Sequence, residues 1–317
     1  MDYQFNIAGE YENAAGLRID SFLSSELKIS RTKIQSLIKS EKLRINGVVT
    51  AKTNRILALE DSIEFDYSPP EIKPVLPENF EVDIIFEDEH LIILNKDAGV
   101  LTHPAGEMKS GSLVNALMYR GAINAEDYKT EMDEYEYRPG VVHRLDKDTS
   151  GLIMFAKTPE MQTELSHIFK RRLIEKKYLA LVCGMINEEK GIITYPIGRN
   201  KTNRKIMQIR DDGKPAITEF KTIFKNKKYS LLEVNLKTGR THQIRTHFKS
   251  IHHPVAGDKL YSSPAKNILR LMLHSYSVKF VHPVLKTEIF KIAPIKKDFA
   301  EFLKDNDIPL KNYEFEK

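Results

Sequence analysis

The sequence predicts an α+β protein: a mixed, largely antiparallel β-sheet body preceded by a small α+β module. Three observations lead there. Residues 79–305 alternate many short apolar segments with turns and hold few helical patterns. Residues 68–77, SPPEIKPVLP, contain four prolines and no helical or strand period. Ahead of them, two short helical patterns run into a strong hairpin signal, Asn46-Gly47.

In the front module, residues 1–70, Arg18–Leu27 and Arg31–Lys39 read as helices. Ser30 is placed to cap the second, since its hydroxyl can accept from a free backbone N–H. Ile34, Leu37 and Ile38 share one face of that helix, which leaves Arg31, Lys33 and Lys39 for the solvent side. LRINGVVTA follows, where Asn-Gly suits the positive-φ positions of a tight hairpin turn. DSIEFDY then closes the module as an alternating strand. Proline fixes its own φ and removes a backbone donor, so residues 71–78 read as a stiff linker.

The body opens with EVDIIFEDEHLIILNK, two strands around an acidic turn. SLVNALMYR (112–120) reads as a short amphipathic helix, and NAEDYKTEMDEYEY (124–137) as an acidic surface excursion. Two apolar runs, VV and LIMFA, then flank a charged stretch containing His143, Arg144, Asp146, Lys147 and Asp148. A helix around Glu160–Arg172 precedes the strand KKYLALVCG. Strands such as SLLEVNLK (230–237) and YSVKFVHP (276–283) alternate with loops, among them the charged KTGRTHQIR at 237–245. Residues 306–317 read as a C-terminal tail. No repeat, coiled-coil seam or low-complexity tract interrupts the pattern.

With 317 residues, 41% of them hydrophobic and 29% charged, the chain can build about two domains with a real core. No apolar run reaches the ~18–20 residues that span a bilayer, and the acidic start MDYQFNIAGEYEN lacks a secretory signal. A single cysteine, Cys183, excludes an internal disulfide and any cysteine-cluster zinc site. A cytoplasmic protein is expected, with no membrane partner. The net charge of +5 is unevenly spread. Residues 30–55 hold seven Lys/Arg, including Arg31, Lys33, Lys39, Lys42, Arg44 and Lys52, against one acid. Residues 190–210 hold six and no acid. Two such patches suit a polyanion such as RNA, although solvated lysine faces would look the same.

The motifs narrow the chemistry. Asp146-x-Asp148 could hold a divalent ion, but Arg144 and Lys147 compete for the same carboxylates. The histidines at 242, 247, 252 and 253 fit no zinc spacing of the HExxH kind. A phosphate-cradling glycine loop, a dinucleotide fingerprint and a Gly-x-Ser-x-Gly elbow are all missing from the sequence. The expectation is no metal and no cofactor. What remains is a carboxylate near arginines. A cation such as Arg240 or Arg245 would favour the ionised aspartate that a nucleophile must be, or would clamp a phosphate. A structural ion pair joining two loops is the alternative, and spacing alone does not separate them.

HRLDKDTSGLIMFAKT (143–158) resembles the catalytic signature of the RluA/RluD family of RNA pseudouridine synthases. Further blocks follow in that family's order: EDEHLIILNKDAGVLTHP (87–104), RPGVVHRLDKDTSGL (138–152), KKYLALVCG (176–184), KTGRTHQIRTH (237–247), HPVAGDKLY (253–261) and LMLHSYSVKFVHP (271–283). GLRIDSFL, the SRTKIQSLIK helix and the INGVV hairpin resemble the small RNA-binding domain named after the fourth protein of the small ribosomal subunit. One departure is Asp97, where the family usually has proline.

The resemblance implies a pseudouridine synthase catalytic domain over residues 79–305 and a cofactor-free monomer that isomerises uridine in structured RNA. Ribosomal RNA of the large subunit is the first expected target and transfer RNA the second. By position, Asp146 is the implied nucleophile, attacking either the uracil ring or the ribose anomeric carbon. Tyr178 matches the tyrosine that lies against the base, and Arg245 the arginine paired with the nucleophile, with Arg240 the second choice. Arg144 is expected to fill the gap left by an extruded uridine. His143 is either a loop-ordering group or a substrate contact, and Leu273 and His274 are expected to line the pocket. The rival classes are a non-catalytic RNA-binding or ribosome-assembly protein and a metal-dependent glycosyltransferase.

Overall fold

The computed structural model describes residues 2–27, 29–67, 75–104, 110–128, 138–262 and 268–309. Residues 71–74 of the proline linker and residues 129–137 of the acidic excursion lie outside that set. The described residues of Met1–Pro74, with those of Tyr128–Arg138, form one compact unit, and those of Val75–Asp127 and Pro139–Lys317 the other.

In the first unit, β1 (Asp2–Asn6) precedes two helices, α1 (Ile19–Glu26) and α2 (Arg31–Lys39). Then come β2 (Leu43–Ile45), β3 (Val48–Val49) and β4 (Ser62–Asp66), in the antiparallel order β1-β4-β2-β3. Asn46 and Gly47 have φ of 52° and 75°, the two positive values that the hairpin requires. Strand β1 is not among the expected elements, although Tyr3, Phe5 and Ile7 alternate with polar residues; Tyr3 and Phe5 lie opposite Phe65 and Ile63.

The helices earn their place by burial: Ile19, Phe22 and Leu23 of α1 meet Ile34 and Ile38 of α2 over Leu43, Ile63 and Phe65. Ser30 stands at the N-cap of α2, but its side chain makes no capping bond. A buried carboxylate ties the helices instead. Asp20, wholly inaccessible, accepts from Arg18 (2.9 and 3.0 Å), Arg31 (3.0 Å) and Gln35 (2.6 Å). Arg18, then Arg31 and Gln35, hold its pKa far below the usual carboxylate range. Arg31 pairs with Asp20 and still stays exposed, as its helical position suggests. Lys39, Lys42, Arg44 and Lys52 are exposed as expected, and Lys33 is partly buried.

The second unit begins with β5 (Ile84–Glu87), β6 (Leu91–Lys96), α3 (Leu113–Tyr119), β7 (Ser150–Ala156), α4 (Pro159–Arg171) and β8 (Glu175–Cys183). It continues through β9 (Lys190–Ile193), β10 (Ile197–Arg199), β11 (Met207–Ile209), β12 (Thr218–Lys225) and β13 (Tyr229–Leu236). Last come α5 (Gln243–Ser250), β14 (Leu273–Val281), β15 (Glu288–Ile292) and α6 (Lys297–Asp305).

Among the described residues, nine of these strands form one sheet, ordered β5-β6-β7-β14-β8-β13-β12-β9, with β15 added to β14. Its pairings are antiparallel except β7 with β14, which run parallel where Ser150 meets His274. Period-2 alternation gives the sheet two apolar faces. On one, Leu152, Met154, Val278 and Phe280 pack under Met161 and Leu165 of α4. On the other, Leu179, Leu181 and Leu231 pack under Phe299 and Leu303 of α6. Ile308 joins this second core, so the domain runs past residue 305 and the predicted tail starts too early.

Segment 237–245, read as a loop, is a loop only in part. From Gln243 onward it is helix α5, whose residues 243–248 are all buried. Its polar residues are anchors. Gln243 Nε2 donates to the Ile217 carbonyl (3.0 Å) and to Thr218 Oγ1 (2.9 Å). One turn on, His247 bonds Thr218 Oγ1 (2.8 Å) and the Tyr195 carbonyl (2.9 Å). The carbonyl can only accept, so Nε2 carries the proton and Nδ1 accepts from the threonine hydroxyl. This relay pins α5 to β12 and aims Arg245 at the charged stretch before β7.

Candidate active site

That charged stretch is a turn after all. The N–H of Thr149 donates to the Asp146 carbonyl at 3.1 Å, which places Lys147 and Asp148 at the exposed corners. Lys96 holds the turn from below. Its buried Nζ donates to the carbonyls of Asp97 (2.8 Å), Val100 (2.7 Å) and Lys147 (2.7 Å). Burial pushes the Lys96 pKa down to about 7 against the pull of Asp148. Three carbonyls around one nitrogen are satisfied only by three N–H donors, so this geometry is that of the ammonium. Asp97, in the place of the family proline, leaves this arrangement intact: it contributes a carbonyl, and its carboxylate meets Lys296 at 2.9 Å.

The Asp146 side chain, about one quarter exposed, accepts from Arg245 Nη1 at 2.8 Å. The same guanidinium sends Nε and Nη2 to the two oxygens of the fully buried Asp258, at 2.7 and 2.9 Å. Burial opposes the Arg245 charge, but Asp258 and then Asp146 outweigh it and raise the pKa further. Arg245 is thus a fixed bridge, with both ends of its fork used. Arg240 is elsewhere: its Nε donates to the Pro215 carbonyl at 3.0 Å. Between the two candidate arginines, the pairing with Asp146 belongs to Arg245.

His242, not singled out in the sequence, faces the same carboxylate with Nε2 3.7 Å from Asp146 Oδ2. Its Nδ1 lies 2.9 Å from the Tyr261 hydroxyl, which accepts from the Met207 N–H at 2.7 Å. The ring thus stands between the Tyr261 hydroxyl and the Asp146 carboxylate, one nitrogen toward each. Burial, opposed by Asp146, lowers the His242 pKa and keeps the ring neutral near pH 7.

Tyr178 comes from the middle of β8, buried and hydrogen-bonded to Ser275. Burial pushes its pKa up to about 12, so it stands at neutral pH as an uncharged phenol. Its place depends on Gly151. A Cβ there would lie 2.2 Å from the Ser275 carbonyl oxygen, and φ is +104°. Only glycine lets β7 approach β14 this closely beside Tyr178. Gly151→Ala is expected to cost about 3 kcal/mol of stability and to displace Ser275. A urea titration checks it; a midpoint equal to wild type would show that the strands part without strain.

Of the remaining sequence candidates, His143, Leu273 and His274 serve the framework. His143 accepts the Met154 N–H at 2.9 Å and stacks on Phe169 at 4.6 Å, so it orders the loop. Arg144 is exposed, as an inserting side chain would be. Leu273 is buried, opposite Ala180 in the sheet. His274 is fully buried: Nδ1 bonds Ser150 Oγ (2.8 Å), which also accepts from Arg270 Nη2 (2.7 Å). It fastens β14 to β7 and lines no open surface.

Burial lowers the His274 pKa to about 4, and His143 falls to about 3 for the same reason, with Lys176 adding to it. Both fold as neutral rings, whereas an unfolded histidine titrates near 6.5. Their contribution is complete above about pH 6.5 and is lost as pH falls toward the folded values, about 3 kcal/mol for His274 alone. Urea midpoints should fall between pH 6.5 and 4, and His274→Gln should flatten part of that slope. Unchanged pH dependence in the variant would contradict the assignment.

Residues 90–250 match the family model described as RNA pseudouridylate synthase, about half the chain. A relative from Bacillus subtilis, named an uncharacterized RNA pseudouridine synthase, is 36% identical over 289 residues, covering 90% of this chain and 92% of the relative. The chain belongs to the RNA pseudouridine synthase family. It is an isomerase by that membership. A second relative of this synthase, from Xylella fastidiosa, is named ribosomal large subunit pseudouridine synthase D. It is 33% identical over 308 residues, covering 92% of this chain and 89% of the relative. Human RNA pseudouridylate synthase domain containing 1 shares the fold, with a TM-score of 0.54 at 22% identity over 72% of this chain and 96% of its own.

Proposed function

We propose that this synthase converts uridines of large-subunit ribosomal RNA to pseudouridine, with Asp146 as the nucleophile and without metal or cofactor. The observation that carries the reading is the Asp146–Arg245–Asp258 chain beside the neutral phenol of Tyr178. A structural ion pair would need one carboxylate. Here Asp258 already anchors the guanidinium through two bonds, and Asp146 receives the third from a partly exposed position. That is the arrangement of a carboxylate oriented for use.

Asp146 gives an electron pair either to the ribose anomeric carbon, releasing uracil through its nitrogen, or to the uracil ring, after which the glycosidic carbon–nitrogen bond breaks. After the base turns, its ring carbon bonds the anomeric carbon and loses its proton, and the aspartate leaves with its electron pair, from the sugar in the first route and from the ring in the second. Tyr178, protonated at rest, contacts the base as a phenol. Arg144 fills the place of the extruded uridine. Residues 1–70 act as an RNA-binding module, with Lys39, Lys42, Arg44 and Lys52 toward phosphates. A cytoplasmic monomer belongs to the same reading.

Relatives named ribosomal large subunit pseudouridine synthase D, 33–34% identical, favour ribosomal over transfer RNA. The test gives purified protein both RNAs, each isolated from cells lacking the gene, and maps pseudouridine by carbodiimide labelling. New sites in the large-subunit RNA are expected; sites confined to transfer RNA would transfer the assignment there.

A further inference from the structure

Strand β8 carries Lys176 two residues before Tyr178, hence on the same face of the sheet. The register agrees, because Lys176 lies opposite Val278, which packs in the core beneath α4. Its amine stands 5.4 Å from the centre of the Phe169 ring, near the end of α4. On another side is Gly239, in the loop leading to α5: a Cβ there would sit 3.8 Å from the amine. His143, stacked on the same Phe169 ring, feels the amine's charge. Lys176 thus occupies the place where the Asp146 loop and the Arg245 loop both approach the strand bearing Tyr178.

Neighbouring lysines have anions. Lys177 on the opposite face pairs with Glu233 at 3.5 Å, and Lys237 with Glu219 at 3.2 Å. Lys176 has, among the described residues, neither a carboxylate nor a hydrogen-bond acceptor within reach, only the face of Phe169. Burial accordingly pushes its pKa below the ordinary lysine range. Part of the side chain still reaches solvent, and Gly239 puts no side chain across the amine. Lys170, Arg171 and Arg172, all exposed, continue the positive charge past the end of α4. A half-desolvated cation with no anion gains more from an arriving anion than a solvated lysine does.

We propose that Lys176 binds an RNA backbone phosphate next to the uridine being modified, and so seats that nucleotide between Tyr178 and Asp146. This rests on the reading of Asp146 as the reacting group. A compact ammonium on a flexible stem suits a single phosphate oxygen as a point charge. Gly239 is what leaves the phosphate room to approach.

The test uses the full-length protein with large-subunit ribosomal RNA from cells lacking the gene. Lys176→Met keeps the apolar stem over Phe169 and removes the charge; Lys176→Arg restores a cation. The methionine variant is expected to raise KM about tenfold with a smaller change in kcat, and to lower the slope of log affinity against log salt by about 0.7–0.9. The arginine variant should recover most of both. Unchanged KM and salt slope in Lys176→Met would overturn the proposal, as would a fall in kcat alone, which marks a structural role. The slope is read from binding and judges Lys176 whatever the turnover. A wild-type protein that binds this RNA without modifying it would count against the ribosomal target and not against the lysine.

Discussion

Asp146→Asn will leave the synthase folded and able to bind RNA while lowering turnover by about four orders of magnitude or more. The amide has nearly the shape of the carboxylate but cannot supply the electron pair of an ionised oxygen. The fold should tolerate it. Arg245 keeps its two bonds to Asp258, and the amide oxygen still accepts from Nη1. The turn itself rests on backbone groups, the Asp146 carbonyl and the Lys96 contacts to neighbouring carbonyls, none of which the change touches. Unfolding midpoints within about 1 kcal/mol of wild type are therefore expected, since the site is partly solvated. Single-turnover assays on purified variant will read the loss. Turnover within tenfold of wild type would remove Asp146 from the chemistry.

Arg245→Ala should be the next most damaging change, and it should damage two things. Asp258 is fully buried and would lose two charge-assisted bonds, keeping only the Leu260 and Tyr261 N–H groups. Breaking a buried pair this way costs about 3–5 kcal/mol. Asp146 would lose its orienting donor, and kcat should fall by about two to three orders of magnitude. RNA affinity and its salt slope should hardly move, because the guanidinium is only 6% exposed and its fork is already used on carboxylates. Arg245→Lys restores one cation but cannot bridge both acids, so it should recover part of the stability and little of the rate. Preserved kcat with weaker, less salt-dependent binding would make Arg245 a phosphate clamp instead.

Legibility in the sequence followed the range of the forces involved. The α2 helix and the Asn46-Gly47 hairpin were readable because period and turn chemistry are local. Motif resemblance singles out Asp146, Tyr178 and Arg245, and the fold joins Asp146 to Arg245 by a hydrogen bond. Partners supplied by distant chain were not readable. Asp258 pairs with Arg245 from a neighbouring loop, Lys96 reaches the turn from another strand, and Gly151 matters only because β14 lies against it. Helix α5 shares that cause: side-chain anchors on β12 hold it. His274 illustrates the converse, a polar residue near the motifs that the fold spends on joining strands.

The most direct measurement is a pseudouridine map of total RNA from cells lacking the gene, each complemented with wild type, Asp146→Asn or nothing. Deletion should erase modification at specific uridines of the large-subunit RNA; wild type should restore them, and the asparagine variant, expressed equally, should not. A map unchanged by deletion would contradict the ribosomal target, and full restoration by Asp146→Asn would contradict the nucleophile.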